Sequence, residues 1–242
     1  MYALLKKEIS TFFSSLTGYL VIVVFLTAVG LYMWVFPGEF NIFDVGYSSI
    51  DTLFNIAPWV FLFLVPAVTM RLFAEEKKTG TLESLLTRPL TDMNIVLAKY
   101  LSGLSLVLLA LVPTFVYFIS VQFFLSPGNM DVGGTFGSYI GLFFLAAIYV
   151  AIGLFASVIT QNQVVAFVIG ILFSFFFFMG FEYITQLGIW GGFAAIIDYL
   201  GINAHYNSIS RGVIDTRDVI YFLSIISLFI FLTKFVLESR KW

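Results

Sequence analysis

The sequence predicts an all-α, polytopic membrane protein with six transmembrane helices. Hydrophobic residues make up 60% of the 242 residues and charged residues only 11%, whereas soluble domains carry roughly 25% charged residues. The mean hydropathy is +1.02. So much apolar surface requires lipid as part of the solvent, and the lipid membrane is therefore the first predicted partner.

Six segments are apolar over about the 20 residues that a spanning helix needs. They are residues 16–36, 53–73, 100–125, 137–159, 164–181 and 219–237. Pro58, Pro66 and Pro113 fall inside spans, where a helix bundle tolerates the kinks that proline favours. The six spans and their connections form one predicted domain, residues 1–242.

Charge assigns the orientation of the spans. Ten of the twelve basic residues fall on one side: Lys6, Lys7, Arg71, Lys77, Lys78, Arg88, Lys99, Lys234, Arg240 and Lys241. The other side holds two basic residues and eight acids. Because cytoplasmic loops are enriched in Lys and Arg, we expect both termini in the cytoplasm, as an even number of spans also requires. The expected location is a bacterial inner membrane.

Residues 1–15 predict an amphipathic helix lying in the cytoplasmic interface, an elbow before the first span. Leu4, Leu5 and Phe12 are among its apolar half, although Glu8 and Ser15 intrude on that face. The alternative is an early extension of the first spanning helix.

Residues 182–218 are expected on the outer side. The apolar stretch 187–200 is too short to cross as a helix, which favours short helices that re-enter or lie on the outer leaflet, or a folded cap. Gly133, Gly137 and Gly141 have the spacing that allows helices to approach closely. The single histidine, His205, reads as an ordinary surface or packing residue.

The cytoplasmic loop 74–99 is the most charged part of the chain. Thr79, Gly80 or Thr81 can begin a short helix there, and the Arg88–Pro89 pair ends it, which predicts a helix over 81–87. Thr91 or Asp92 then caps the helix of the third span.

Leu82, Leu85 and Leu86 share one face of this short helix. They could rest against the protein's own bundle. Alternatively, they could dock into a groove on a partner, which would give an interface with an apolar centre and a polar rim.

The segment from Glu76 to Pro89 resembles the pattern E-x-x-x-G-T-x-E-x-L-L-x-x-P of ABC-2 type transporter permeases. Residues 205–206, 210–215 and 217–221 resemble the segment before the last span of that family. The resemblance covers the whole chain and is closest to the permease subunits associated with gliding motility in bacteria. It implies a coupling helix between spans two and three that is moved by a separate ATPase subunit. The residues it assigns to ATPase coupling are Glu76, Gly80, Thr81, Leu82, Glu83, Leu85, Leu86 and Pro89.

The resemblance also implies a second copy or a related permease subunit, because two bundles usually form one pathway. The chain lacks the G-x-x-x-x-G-K-[ST] motif that holds nucleotide phosphates, so ATP and Mg²⁺ are expected on the ATPase subunit. No cofactor, metal, catalytic residue or nucleic-acid partner is predicted for this chain.

Other classes are weaker alternatives. A membrane enzyme would need positioned polar groups such as HExxH, which are missing from the sequence, and ion coupling needs ionisable residues at membrane depth, which the spans scarcely hold. A passive channel or a non-transporting membrane scaffold stays open. The absence of a charged pocket favours lipid-like or hydrophobic cargo, or mechanical work without cargo.

Overall fold

A computed structural model describes residues 1–45, 49–87, 89–125 and 130–239 of the chain. Every regular element within these ranges is helical, as the sequence predicts. The α-helices are α1 (Tyr2–Ser14), α2 (Leu16–Trp34), α3 (Ile42–Val45), α4 (Asp51–Lys78), α5 (Thr81–Leu86), α6 (Asp92–Leu111), α7 (Phe115–Ser120), α8 (Val132–Ile159), α9 (Gln163–Phe175), α10 (Phe181–Gln186), α11 (Ala194–Asp198), α12 (Ile202–Ile209) and α13 (Thr216–Glu238).

Five helical stretches in the described residues are long and apolar enough to cross a membrane: Asp51–Lys78, Asp92–Phe123, Val132–Ile159, Gln163–Gln186 and Thr216–Glu238. The second joins α6 to α7 through a 3₁₀ turn at Val112–Thr114, where Pro113 lies. The fourth joins α9 to α10 through a π-helical turn. These stretches correspond to the five predicted spans from 53–73 to 219–237, although the second ends at Phe123, two residues before the predicted end.

The remaining predicted span, residues 16–36, corresponds to α2, which with α1 forms a pair bent by 65°. The backbone breaks at Ser15, which is extended (φ −103°, ψ 152°). Because of this break, α1 is a separate helix and not an extension of α2. It packs against α6 as well as α2, in the place expected of an elbow.

Helix α8 lies at the centre of the bundle and contacts α4, α6, α9 and α13. In its most apolar stretch 78% of residues are buried, against 22% for the α9–α10 stretch and 28% for α13. The outer helices therefore present apolar side chains to the surroundings, as lipid-facing helices do. Gly153 permits the close contact between α8 and α4, because a side chain there would overlap Thr69.

The bundle has two ends, named here by their short helices. The α5 end carries the carboxyl ends of α4 and α8, and the α12 end carries their amino ends. Helices α1 and α5 lie at the α5 end, where the Lys7 ammonium is 3.4 Å from the Glu76 carboxylate. Helix α12 lies at the other, where the Tyr206 hydroxyl donates to the Phe54 carbonyl at 2.7 Å.

The predicted outer segment forms a cap on the α12 end. Helix α12 packs against α8 and α13, and α10 carries Glu182 as a continuation of the α9 span. Two glycines of the predicted close-packing run contact this cap instead of another span. A Cβ on Gly137 would lie 2.7 Å from the Gly212 Cα, and one on Gly141 would meet Ile209.

Candidate functional site

Helix α5 is short because both of its ends are fixed by the sequence. Gly80 precedes it with φ 73°, a left-handed conformation that glycine adopts without strain. Pro89 follows closely and stands in exposed chain. The next helix, α6, begins with a side-chain cap, since the Thr91 hydroxyl accepts from the Asn94 amide at 3.3 Å. The observed helix ends one residue before the predicted 81–87.

The leucine face of α5 packs on the protein itself. Leu82 is 3% exposed and Leu85 is 8% exposed, and both belong to the hydrophobic core. In this chain the two side chains pack against the bundle, and their contact with a partner stays a prediction. Their apolar surface is already covered by the bundle, as the alternative interpretation proposed. The side chain of Leu86 and all of Arg88 lie outside the described residues.

The opposite face of α5 is open. Thr81, Glu83 and Ser84 are exposed, and so are Thr87 and Pro89 beyond it. This face is polar and carries one carboxylate. The bundle therefore anchors α5 by its leucines and presents its polar face outward.

Glu76, which the resemblance assigned to the contact with the ATPase, belongs to a network of four charges. The Lys99 ammonium is 2.9 Å from one Glu76 carboxylate oxygen and 3.2 Å from the Glu8 carboxylate. The Lys7 ammonium is 3.4 Å from each of the same two carboxylates. Two cations and two anions from α1, α4 and α6 thus balance one another, and we call these residues the four-charge network.

Burial differs strongly across the four-charge network. The side chain of Lys99 is 1% exposed and that of Lys7 is 60% exposed. Lys99, assigned above to the cytoplasmic loop, lies inside α6 and its ammonium is 5.2 Å from the centre of the Phe73 ring. Partial burial disfavours charge on Lys7, but Glu8 and Glu76 outweigh this and raise the pKa of Lys7.

The carboxyl end of α8 is joined to α4 beside this network. The Lys77 ammonium donates to the Val158 carbonyl, one of the last carbonyls of α8, which lack partners within the helix. The Ser157 hydroxyl accepts from the Phe73 and Ala74 amides at 2.9 and 3.0 Å. It also donates to the Met70 carbonyl at 2.9 Å. The charged end of α4 is therefore fixed to the central helix.

A short path links α5 to the four-charge network. The Thr81 hydroxyl, at the start of α5, lies 2.9 Å from the Thr79 hydroxyl, which donates to the Glu75 carbonyl at 2.9 Å. The Glu76 carbonyl oxygen lies 3.4 to 3.5 Å from both hydroxyls. A cleft of about 420 Å³ separates α1 from α5, with Leu4, Lys7, Ser84 and Leu85 among its walls.

Sequence reasoning missed three members of this network: Lys7, Glu8 and Lys99. The signal for Glu8 was present, because a carboxylate on the apolar face of an amphipathic helix needs a buried cation. The sequence could not identify that cation. Lys99 is 91 residues away, and only the packing of α1 on α6 brings the two together.

A second feature of the bundle is an apolar groove of about 730 Å³ between α2, α4 and α9. Val24, Ile56, Trp59, Phe63 and Phe167 are among its walls. Asn55 contributes one of the few polar side chains.

Comparison with known proteins gives the family. No curated protein sequence matches the chain. The family model described as "ABC-2 family transporter protein" matches residues 2–239, which includes α1, α5 and all the spanning stretches. Proteins of this family are typically non-catalytic membrane subunits. The chain is thus a multi-pass membrane protein and belongs to the ABC-2 transporter family, as a permease subunit of an ABC transporter.

Proposed function

We propose that this permease couples ATP hydrolysis by a separate ATPase subunit to export or mechanical work across the membrane. The observation that carries the proposal is the arrangement of α5. Leu82 and Leu85 anchor it in the bundle, its polar face is open, and its first turn is linked through the Thr79 hydroxyl to the end of α4. A short helix held in this way moves as a rigid unit, so a displacement of its open face is passed on to the bundle.

The contact surface for the ATPase consists of the open residues around α5. Gly80, Thr81, Glu83 and Pro89 keep the role expected from the resemblance, and Ser84 and Thr87 join them. Leu82 and Leu85 have a supporting role, because they hold α5 on the bundle. Glu76 acts one step behind the contact.

The four-charge network carries the displacement onward. Movement of α5 shifts the end of α4 through Glu76, whose carboxylate faces Lys99 on α6 and Lys7 on α1. Three helices are therefore displaced together, and access to the bundle changes with them.

The test is co-purification of the ATPase in mild detergent from the membranes of the host. We expect Glu83→Arg to abolish recovery of an ATPase, since it reverses the one carboxylate on the open face of α5. Glu39→Arg makes the same charge change at an exposed residue that the topology places on the opposite side of the membrane. It should leave recovery unchanged.

Equal recovery of the ATPase with both variants would remove α5 as the contact surface. Recovery of this chain alone, in wild type as well, would favour the passive channel or scaffold. The mass of the purified complex separates a second copy of this chain from a related permease subunit.

We further propose a bacterial inner membrane location with both termini in the cytoplasm. The chain contains no cysteine, so a single introduced thiol is unique. In intact cells, a membrane-impermeant maleimide should label Glu39→Cys and not Glu83→Cys. Labelling of Glu83→Cys alone would reverse the orientation.

A role in gliding motility, or in secretion that supports it, is a finer proposal that rests on the resemblance of the sequence. Deletion of the gene should abolish surface spreading, and the wild-type gene should restore it while Glu83→Arg does not. Normal spreading of the deletion strain would remove this role and leave the transporter assignment intact.

The cargo we propose is lipid-like or hydrophobic, because the groove between α2, α4 and α9 is lined mainly by apolar side chains. Lipids should stimulate ATP hydrolysis by the reconstituted complex, and Ala67→Glu in the groove should reduce that stimulation without reducing basal hydrolysis. Stimulation unaffected by Ala67→Glu would place the cargo elsewhere.

A further inference from the structure

The cap at the α12 end encloses the only histidine of the chain. His205 is 2% exposed and Asp218 is equally buried. The imidazole Nδ1 lies 2.6 Å from the Asp218 carboxylate, and Nε2 lies 2.9 Å from the Tyr199 carbonyl oxygen. The sequence suggested a surface or packing residue, and His205 is buried where it joins three parts of the cap: the chain after α11, α12 itself and the first turn of α13.

Counting donors fixes the number of protons in this pair. A carbonyl oxygen only accepts, so the Tyr199 contact requires a hydrogen on Nε2. The 2.6 Å contact between Nδ1 and the carboxylate requires a second hydrogen between those atoms, because two lone pairs facing at this distance repel. A neutral imidazole beside an ionised carboxylate supplies only one of these two hydrogens. The two contacts therefore require one proton more than a neutral imidazole and an ionised carboxylate provide.

Two features of the surroundings favour an ionised Asp218 carboxylate and a positive charge on the imidazole. Asp218 stands in the first turn of α13, where the helix dipole favours a carboxylate. The imidazole lies flat on the Tyr221 ring, with 3.8 Å between ring centres and 18° between planes, and an aromatic face attracts a cation.

Three other charged groups near the cap, Glu182, Arg211 and Arg217, are engaged elsewhere or exposed. Glu182 of α10 accepts from the Asn203 amide at 2.8 Å. Arg211 and Arg217 are exposed. On the side of α8 and α4, Tyr206 donates its hydroxyl to the Phe54 carbonyl. The second Asp218 oxygen has no hydrogen-bond partner among the described residues, so His205 provides the compensation for this buried carboxylate.

We propose that His205 and Asp218 form a buried proton-binding site that closes the cap onto the last spanning helix. The bound species is a single proton, held as an imidazolium–carboxylate pair. Loss of the proton leaves one of the two imidazole nitrogens facing a buried oxygen with no hydrogen between them, which is costly. The deprotonated cap is therefore held less tightly on α13, where the Tyr221 hydroxyl still donates to the Leu200 carbonyl at 2.6 Å. The site is independent of the proposed contact with an ATPase.

Having one histidine makes the test direct. The full chain is labelled with ¹⁵N-histidine, reconstituted in lipid and examined by NMR at neutral pH, where a solvent-exposed imidazole is largely neutral. We expect both ring nitrogens to give signals of the protonated type. In Asp218→Asn we expect the Nδ1 signal to change to that of a nitrogen with a lone pair.

Asp215→Asn is the matched control. Asp215 caps α13, accepting from the Arg217 amide at 2.9 Å, and asparagine caps equally well. The His205 signals should therefore keep the wild-type pattern. ¹³C labelling of the aspartates reports the Asp218 carboxyl in the same sample. A neutral imidazole beside an ionised Asp218 in the wild type would overturn the proposal, and that measurement does not depend on whether the variants fold.

Discussion

The two ends of the bundle each hold a cluster of titratable groups, which are the four-charge network at the α5 end and the His205–Asp218 pair at the α12 end. At the α5 end, the side chain of Lys7 remains 60% exposed while that of Lys99 is 1% exposed. The four-charge network therefore extends from the solvent-exposed surface into the core. At the α12 end, the His205 and Asp218 side chains are 2% and 4% exposed and have no such gradient. A network of several partners can lose one contact and re-form others, whereas a sealed pair either keeps its partner or breaks.

The largest loss of stability should come from substitution of Lys99, the most buried member of the four-charge network. Lys99→Met removes the cation that contacts both Glu8 and Glu76, leaving two carboxylates that share Lys7. Breaking a buried ion pair by removing one partner costs about 3–5 kcal/mol. We expect a decrease of this size in the free energy of unfolding, measured by denaturant titration in detergent. A change below about 1 kcal/mol would mean that water already compensates these carboxylates.

The next largest loss of stability should come from adding a side chain where two backbones meet at the α12 end. Gly212 has φ 83°, and a Cβ there would lie 2.5 Å from the Gly134 Cα. Gly212→Ala therefore adds left-handed strain, about 1–2 kcal/mol, to overpacking of about 1–3 kcal/mol. Gly188→Ala is the control, since Gly188 has φ 71° with no atom within 4 Å of its Cβ position. Equal losses in both variants would show that strain alone acts.

The sequence predicted the periodic parts of the molecule well. The apolar segments gave the spans, and Pro89 and Thr91 placed the boundaries around α5 to within a residue. It did not tell which way the leucines of α5 face, because an apolar stripe looks the same against its own bundle as against a partner. Burial of Leu82 and Leu85 decided that question for those two residues.

The buried charges escaped prediction for a different reason. Lys99 and Glu8 are 91 residues apart, and His205 and Asp218 are 13 apart, so no local spacing marks either pair. A titratable residue in an apolar stretch signals a partner, but only tertiary packing names it. His205 lay in a segment of mixed polarity and gave no such signal.

A smaller loss of stability is expected when the His205–Asp218 pair is broken. Asp218→Asn removes the carboxylate, but the amide nitrogen can still donate to the Nδ1 lone pair of a neutral imidazole. The net cost should be about 1–3 kcal/mol, the range for an incompletely satisfied buried polar group. Hydrogen exchange should locate the loss in α11 and α12. Protection that falls equally along α4 and α6 would instead indicate a global effect.

The smallest effect should come from the exposed end of the four-charge network, and it is the sharpest test of the comparison. Lys7→Met should cost less than about 1 kcal/mol alone, because exposed ion pairs contribute little. In the Lys99→Met background, however, Lys7 is the remaining cation of the four-charge network. Lys7→Met should then cost more in the Lys99→Met background than it costs alone. This excess is the coupling energy of the double-mutant cycle. Additive losses would show two independent ion pairs on a shared surface. A positive coupling energy would show that α1, α4 and α6 are held by one network, which is what transmission of movement from α5 requires.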